Sequence, residues 1–184
     1  SFDWEHKLGW RPVQGKLESY QVDPDFKLGT DPQERLKTSI LVHSVRVAPK
    51  PFSKGAMRYA YAMFDDTTGS RMVAKVYALK NPKYRSGDVL RGDIRTQAFA
   101  KYFAERFNNR FTGSPLQFVQ AQLMIDITPG VSGEMMWCVE PFIPGEYSKR
   151  TNNSSYLSEK SEVAQALSHF THDFSAGEMM VTDI

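Results

Sequence analysis

An α+β protein is what this 184-residue sequence predicts, with a sheet-rich lobe followed by the beginning of a helical one. Three observations carry that expectation. Paired runs of β-forming residues are joined by turn-rich loops, a long aromatic-striped helical pattern lies between two such pairs, and a polar connector leads to a second helix. Composition sets the frame. With 41% hydrophobic and 24% charged residues, the chain can bury a core as one domain or two small lobes. Twenty-three Lys and Arg against 21 Asp and Glu leave a net charge of +2. That excess is too small for a protein that coats nucleic acid. An aromatic content of 12% argues against disorder. Cys138 is the single cysteine, so no internal disulfide forms. No signal-peptide pattern opens the sequence, and no run reaches the ~20 apolar residues that span a bilayer. The expectation is a cytoplasmic, reducing setting without membrane contact.

Residues 1–39 are the least periodic. Trp4, Trp10 and Tyr20 lie among charges, and Asp23-Pro24 and Asp31-Pro32 read as turns, so the segment is expected to be an extended arm that packs through isolated aromatics. Residues 39–47 are β-rich. Residues 56–64 and 72–79 read as a hairpin across the turn formers of 65–69. Alternation puts Val73, Lys75 and Tyr77 on one face and Met72, Ala74 and Val76 on the other. Asp93 is the expected N-cap of a helix running to about residue 108. Its stripe of Ile94, Ala98, Phe99, Tyr102, Phe103, Arg106 and Phe107 reads as core. Residues 116–127 alternate again, with Val119, Ala121, Leu123, Ile125 and Ile127 on one face. Residues 134–143 form the partner strand, ended by Pro141, Pro144 and Gly145. Residues 144–157 are a polar connector. A second helix is expected over 158–174, with Val163, Ala166, Leu167 and Phe170 on one face and Gly177 as its stop. Residues 178–184 read as a strand that continues into more of the same domain. The expected division is an arm (1–39), a sheet-rich lobe (40–143), and a connector with the start of a helical lobe (144–184).

Four places could carry chemistry. Lys75 sits mid-strand between apolar neighbours, where it either snorkels from an edge or is held inward for a purpose. Upstream, the glycine-containing turn at 52–58 feeds the preceding strand. In nucleotide sites such a turn lays backbone N–H groups over phosphates while a lysine on the next strand contacts their oxygens. Glu140 ends an apolar strand before Pro141. Backbone donors there at Glu140, Phe142 and Ile143 could recognise adenine, or the glutamate is simply exposed. His169 and His172, three apart on a helix, could share a metal, or one is buried and the other solvated. Asp183 follows Val181-Thr182 where functional carboxylates often sit, and is equally an ordinary polar residue at a strand end. Serine-hydrolase elbows, Walker loops and His-Glu-x-x-His motifs are missing from the sequence.

Together and in this order, these fragments resemble the alpha-kinase family of atypical protein kinases. The matching residues are Pro51-Phe-Ser-Lys-Gly-Ala-Met-Arg58, Val73-Ala-Lys75, the helix from Asp93 to Asn108, Val139-Glu-Pro-Phe-Ile-Pro-Gly-Glu-Tyr147, Gln165-Ala-Leu-Ser-His-Phe-Thr171 and Val181-Thr-Asp-Ile184. The resemblance implies a two-lobed protein-kinase-like fold and transfer of the ATP γ-phosphate to a Ser/Thr hydroxyl of a protein substrate. In that reading Gly55, Ala56, Met57 and Arg58 cover the phosphates and Lys75 binds their oxygens. Glu140, Phe142 and Ile143 hold adenine. His169 is one of four structural Zn²⁺ ligands, and Asp183 is the catalytic aspartate and a carboxylate for Mg²⁺. Family members use upstream segments for dimer contacts or intramolecular docking, which makes residues 1–39, and Trp4 and Trp10 in them, the anchors to expect. The family pattern continues past Asp-Ile with further metal and zinc ligands, so the sequence reads as an N-terminal portion of the domain. The alternative from another class is a non-catalytic nucleotide-binding or interaction module of the same fold.

Overall fold

The computed structural model describes residues 4, 9–25, 27–78, 84, 86–113, 115–131, 135–146, 148 and 161–182. Its elements are β1 (Arg11–Val22), β2 (Leu36–Val47), β3 (Ser53–Lys54), β4 (Arg58–Asp65), β5 (Ser70–Tyr77), α1 (Gly87–Arg110), β6 (Gln122–Asp126), β7 (Met136–Pro141) and α2 (Glu162–Phe174). They divide into two units. The first holds residues 1–20, 38–98 and 119–143; the second holds 21–37, 99–118 and 144–184.

In the first unit the strands run in the order β2-β1-β6-β7-β5-β4-β3, and β2 also pairs with β4. The pairings therefore close into a ring, with β3 appended to β4. Closure dictates which residues the strands need. One face of the ring is filled by Val13, Leu17, Val45, Val47, Met63, Met72, Ala74, Met124, Trp137 and Val139, drawn from six strands at alternating positions. Gly15 on β1 belongs to this packing: a Cβ there would meet Met124 Sδ at 2.8 Å. Much of residues 1–39 is thus sheet, not an extended arm. Composition hid β1 because its opposite face carries Lys16, Glu18 and Tyr20, of which Glu18 and Tyr20 pair with α1. Arg91 donates to both Glu18 oxygens at 2.9 and 3.2 Å, and Arg95 lies 5.1 Å over the Tyr20 ring. Trp4 and Trp10, expected as docking anchors, are buried with Ala48 and Ala62 in their own unit.

Other boundaries shift for local reasons. The hairpin of β4 and β5 pairs Asp65 with Ser70, as the turn formers predict. The helix begins at Gly87, six residues before Asp93, and Ser86 Oγ accepts the Val89 N–H at 3.4 Å. Gly87 and Gly92 masked that first turn in the sequence. Leu90, Ile94, Ala98, Phe103 and Phe107 are buried, as the core stripe requires. The strand expected over 116–127 shortens to β6, and Ile127 lies beyond it, 43% exposed. β7 keeps Pro141 as its last residue, where a missing N–H costs no ladder bond.

In the second unit α2 buries Ala164, Leu167, Phe170 and Thr171, so the face is rotated from the expected one and leaves Val163 and Ala166 exposed. Phe107 and Phe170 stack edge-to-face at 5.5 Å, and Phe103 and Phe174 do the same at 6.0 Å. α2 ends in a Schellman turn. The Gly177 N–H reaches the His172 carbonyl at 2.8 Å and the Ala176 N–H reaches that of Asp173 at 3.1 Å. Ala176 therefore takes the left-handed position, with φ 51°. No strand forms over 178–182.

Two stability outcomes follow. Ala176→Gly relieves the Cβ strain and is expected to raise unfolding free energy by about 0.5–1 kcal/mol in urea titration. The second is acid-linked. Glu18 is held below its ordinary range, first by its hydrogen bond to Arg91. A carboxyl depressed in the folded state contributes stability above its unfolded pKa and loses it as pH falls through the folded one. Glu18→Gln is therefore expected to flatten the fall in Tm on acidification below about pH 5.

Candidate functional site

The site grows out of the register of three strands. β4 and β5 pair Arg58 with Tyr77 and Ala60 with Lys75, and β5 and β7 pair Lys75 with Cys138 and Val73 with Glu140. Side chains alternate, so Arg58, Tyr77, Lys75 and Glu140 share one face, with Arg58 and Glu140 diagonal to Lys75 on opposite sides. The Lys75 ammonium is hydrogen-bonded to Glu140 Oε1, and both side chains are largely buried. An ammonium uses one of its three donors this way and keeps two. The acid that matches Lys75 thus comes from β7, not from the helix.

Arg58 is held by α1. Its Nη2 donates to Asp93 Oδ2 at 2.7 Å and to the Tyr77 hydroxyl at 3.0 Å, and that hydroxyl donates to the same carboxylate oxygen at 2.7 Å. The guanidinium lies 4.7 Å over the Tyr77 ring. Burial pulls Arg58 down, yet the Tyr77 hydroxyl and the Asp93 charge outweigh it and hold it above its ordinary range. Asp93, expected as a helix cap, is instead the anchor of this cation, and Tyr77 was not singled out in the sequence. Alternation and the hairpin register already set Tyr77 opposite Arg58; reaching Asp93 requires the packing of α1. Beside Lys75, burial pushes the Cys138 thiol up to about 11, which makes it a packing group.

Residues 55–57 are exposed at the β3–β4 turn. The Gly55 N–H is spent on the Arg58 carbonyl at 2.8 Å, and the Met57 carbonyl accepts from Ala78 at 2.8 Å. The turn is thus tied at both ends around Ala56. At the other end of the face, the Phe142 N–H donates to the Arg71 carbonyl at 3.0 Å. It is not the free adenine donor expected. By alternation the Glu140 backbone also faces β5, which leaves the Pro141 carbonyl facing away from β5. Taken together, two cations on one face, each matched by a carboxylate, lie in the strands that follow an exposed turn.

The second unit carries the remaining expected residues. His169 is exposed on α2, and among the described residues no group of three or more His, Cys, Asp or Glu is placed to hold a metal ion. Asp183 lies outside the described residues, as does most of the connector. The run before Asp183 is described and tightly bound. Ser175 Oγ accepts the Met179 N–H at 2.9 Å, Thr171 Oγ1 accepts the Val181 N–H at 2.9 Å, and Ser168 Oγ donates to the Val181 carbonyl at 2.6 Å. Two hydroxyls on α2 and that of its C-cap residue Ser175 thus take the backbone groups of Met179 and Val181, where a strand ladder is expected. Glu178 is fastened separately, to Arg35 at 2.9 Å and to the Gly29 N–H at 2.6 Å.

A chain with this geometry has many relatives. The sequence profile of the alpha-kinase family matches residues 53–184. Myosin heavy chain kinase B of Dictyostelium discoideum is 28% identical over 144 residues, covering 76% of this chain and 19% of that protein. Alpha-protein kinase 1 of the same organism is 35% identical over 140 residues, covering 74% and 10%. Eukaryotic elongation factor 2 kinase of Caenorhabditis elegans is 31% identical over 198 aligned positions, covering 95% and 25%. The chain thus spans a quarter or less of the length of these three relatives. Among solved structures, the alpha-kinase domain of myosin-II heavy chain kinase A in complex with AMP-PNP superposes with a TM-score of 0.78 at 21% identity, over 95% of this chain and 77% of that one. The apoenzyme form gives 0.73 at 22%, over 92% and 78%. At such identity the likeness is one of fold.

Thr171→Val removes the acceptor of the Val181 N–H from a fully buried position. It is expected to cost about 1–3 kcal/mol in urea unfolding and to speed limited proteolysis within 178–182. The matched profile covers well over half of the chain, and the fold agrees with it: this chain belongs to the alpha-kinase family.

Proposed function

We propose that this chain is the nucleotide-binding part of an ATP-dependent protein kinase that phosphorylates Ser or Thr hydroxyls on a protein substrate in an intracellular setting. The observation that carries the reading is the placement of Lys75 and Arg58 diagonally on one sheet face, each held by a carboxylate, in strands next to the exposed 55–57 turn. Support comes also from relatives that are named as kinases and from a structural neighbour solved with AMP-PNP.

In this reading the two remaining Lys75 donors take phosphate oxygens, and Glu140 keeps the ammonium aimed. Both contacts of Arg58 described above fall on Nη2, so the Nη1 donors of its guanidinium are the ones that address the phosphates. The Pro141 carbonyl, turned away from β5, offers an acceptor to an adenine edge, and the exposed Ile143 supplies the N–H donor. Asp183 orients the substrate hydroxyl and takes its proton during in-line attack on the γ-phosphate. Mg²⁺, when bound, neutralises charge on the phosphate oxygens. Structural Zn²⁺, with His169 as a ligand, completes the proposal for the whole domain. Catalysis here is positioning and charge complementarity, which is most of what phosphoryl transfer asks of a protein.

Calorimetric titration of the 184-residue chain with ATP and Mg²⁺ tests binding, and a kinase assay on the full-length protein tests turnover. Lys75→Met is expected to lower phosphoryl transfer by about 10²–10³-fold. The paired variant Lys75→Met with Glu140→Gln, which leaves no unmatched charge, should stay folded and equally inactive. Wild-type turnover in either variant rejects the lysine assignment. ATP binding without turnover in the full-length protein supports the non-catalytic module instead.

A further inference from the structure

Residues 38–44 read Thr-Ser-Ile-Leu-Val-His-Ser, with no Lys, Arg, Asp, Glu or Pro among them. They form the middle of β2, which pairs with β1 along one edge but with β4 only over residues 45–47. Hydrogen bonds at its two ends reveal where the main chain points in between. The Arg35 carbonyl accepts the Asp23 N–H at 2.7 Å, on the β1 side. Ser44, of opposite parity, accepts the Asp66 N–H at 2.9 Å and donates to Thr67 Oγ1 at 2.9 Å, on the β4 side. Alternation then turns the N–H and C=O groups of Thr38, Ile40 and Val42 to the β4 side. β4 has already ended there, because Val45 pairs with its last residue, Asp65. Among the described residues no strand occupies that edge. The side chains agree: Ile40, Leu41 and Val42 are 55%, 51% and 55% exposed.

Sheet edges are normally blunted by lysines, prolines or bulges. This one has no such guard. We propose that it pairs with the same edge of a second copy of this chain, antiparallel about a two-fold axis at Ile40. An uncharged antiparallel edge is its own complement. Ile40 meets Ile40 of the other copy, Thr38 meets Val42, and about six main-chain hydrogen bonds form across the axis. Ile40 is covered by its counterpart on the opposite strand, and Val42 by Thr38. No like charges meet, because His43, the titratable group of the stretch, is engaged by Asp65 at 2.7 Å, and Lys37 just outside it by Asp23 at 2.9 Å. A charged peptide would satisfy the backbone but leave the aliphatic side chains wet. One strand pair is a small interface, so the association is transient and concentration-dependent. It is separate from Trp4 and Trp10, which are buried in their own unit.

Sedimentation velocity of the 184-residue chain over a dilution series is expected to show a monomer–dimer equilibrium. Ile40→Lys, at an exposed position, sets two ammonium groups opposite each other and should weaken dimerisation at least about tenfold with unchanged circular dichroism and Tm. Mixing Ile40→Lys with Ile40→Glu should restore a dimer that neither variant forms alone. A chain that stays monomeric throughout, whether or not it takes up a strand peptide, overturns the proposal. So does a dimer that Ile40→Lys leaves intact.

Discussion

The register of β5 against β7 brings an opposite charge to the ammonium that the sheet face carries. Lys75 pairs across the ladder with Cys138, and Glu140, one diagonal step away on the same face, reaches the ammonium. Removing either partner would leave the other largely buried and unmatched, at a cost of several kcal/mol. The register in turn rests on the packed ring interior: slipping β5 by one residue would turn Met72 and Ala74 out of it. Core packing and charge placement are thus one constraint seen from two faces of the same strands.

Arg58 is governed by the same logic with a different supplier. Its anchor comes from a helix, and the Tyr77 hydroxyl bridges sheet and helix by receiving one hydrogen bond and donating another. The two cations therefore report on different elements, Lys75 on strand register and Arg58 on the seating of α1 against the sheet. In the second unit the segment approaching Asp183 is fixed by hydroxyls in place of a ladder. Ser168 and Thr171 on α2 and the C-cap residue Ser175 receive the returning chain, so one helix and its cap serve as both core element and guide rail.

Much of this was legible in the sequence, and the gaps have physical causes. The β4–β5 hairpin was readable because its turn formers and alternation agree. β1 was not, because an outer face bearing Lys16, Glu18 and Tyr20 looks like a solvated surface until Arg91 and Arg95 arrive from a helix over seventy residues later. Asp93 resembles a cap, and only tertiary packing reveals its partner. Residues 178–182 have strand composition, yet Ser175 and Thr171 outbid any ladder for their backbone groups. Lys75 and Arg58 stood out through local pattern and family resemblance, while Glu140 as the counter-charge depended on a strand pairing that local pattern does not encode.

Pairing of β1 with β6 has a temporal side. Gly15 lies opposite Asp126, more than a hundred residues further along the chain. At a synthesis rate of about 5–20 residues per second, the first strand leaves the ribosome roughly 5–20 s before its neighbour exists. During that wait β1 has β2 and later α1 to lean on but not its β6 neighbour, and the early hairpin alone is of marginal stability. A nascent chain of this topology therefore depends on whatever shields Val13 and Leu17 from other apolar surfaces until β6 emerges.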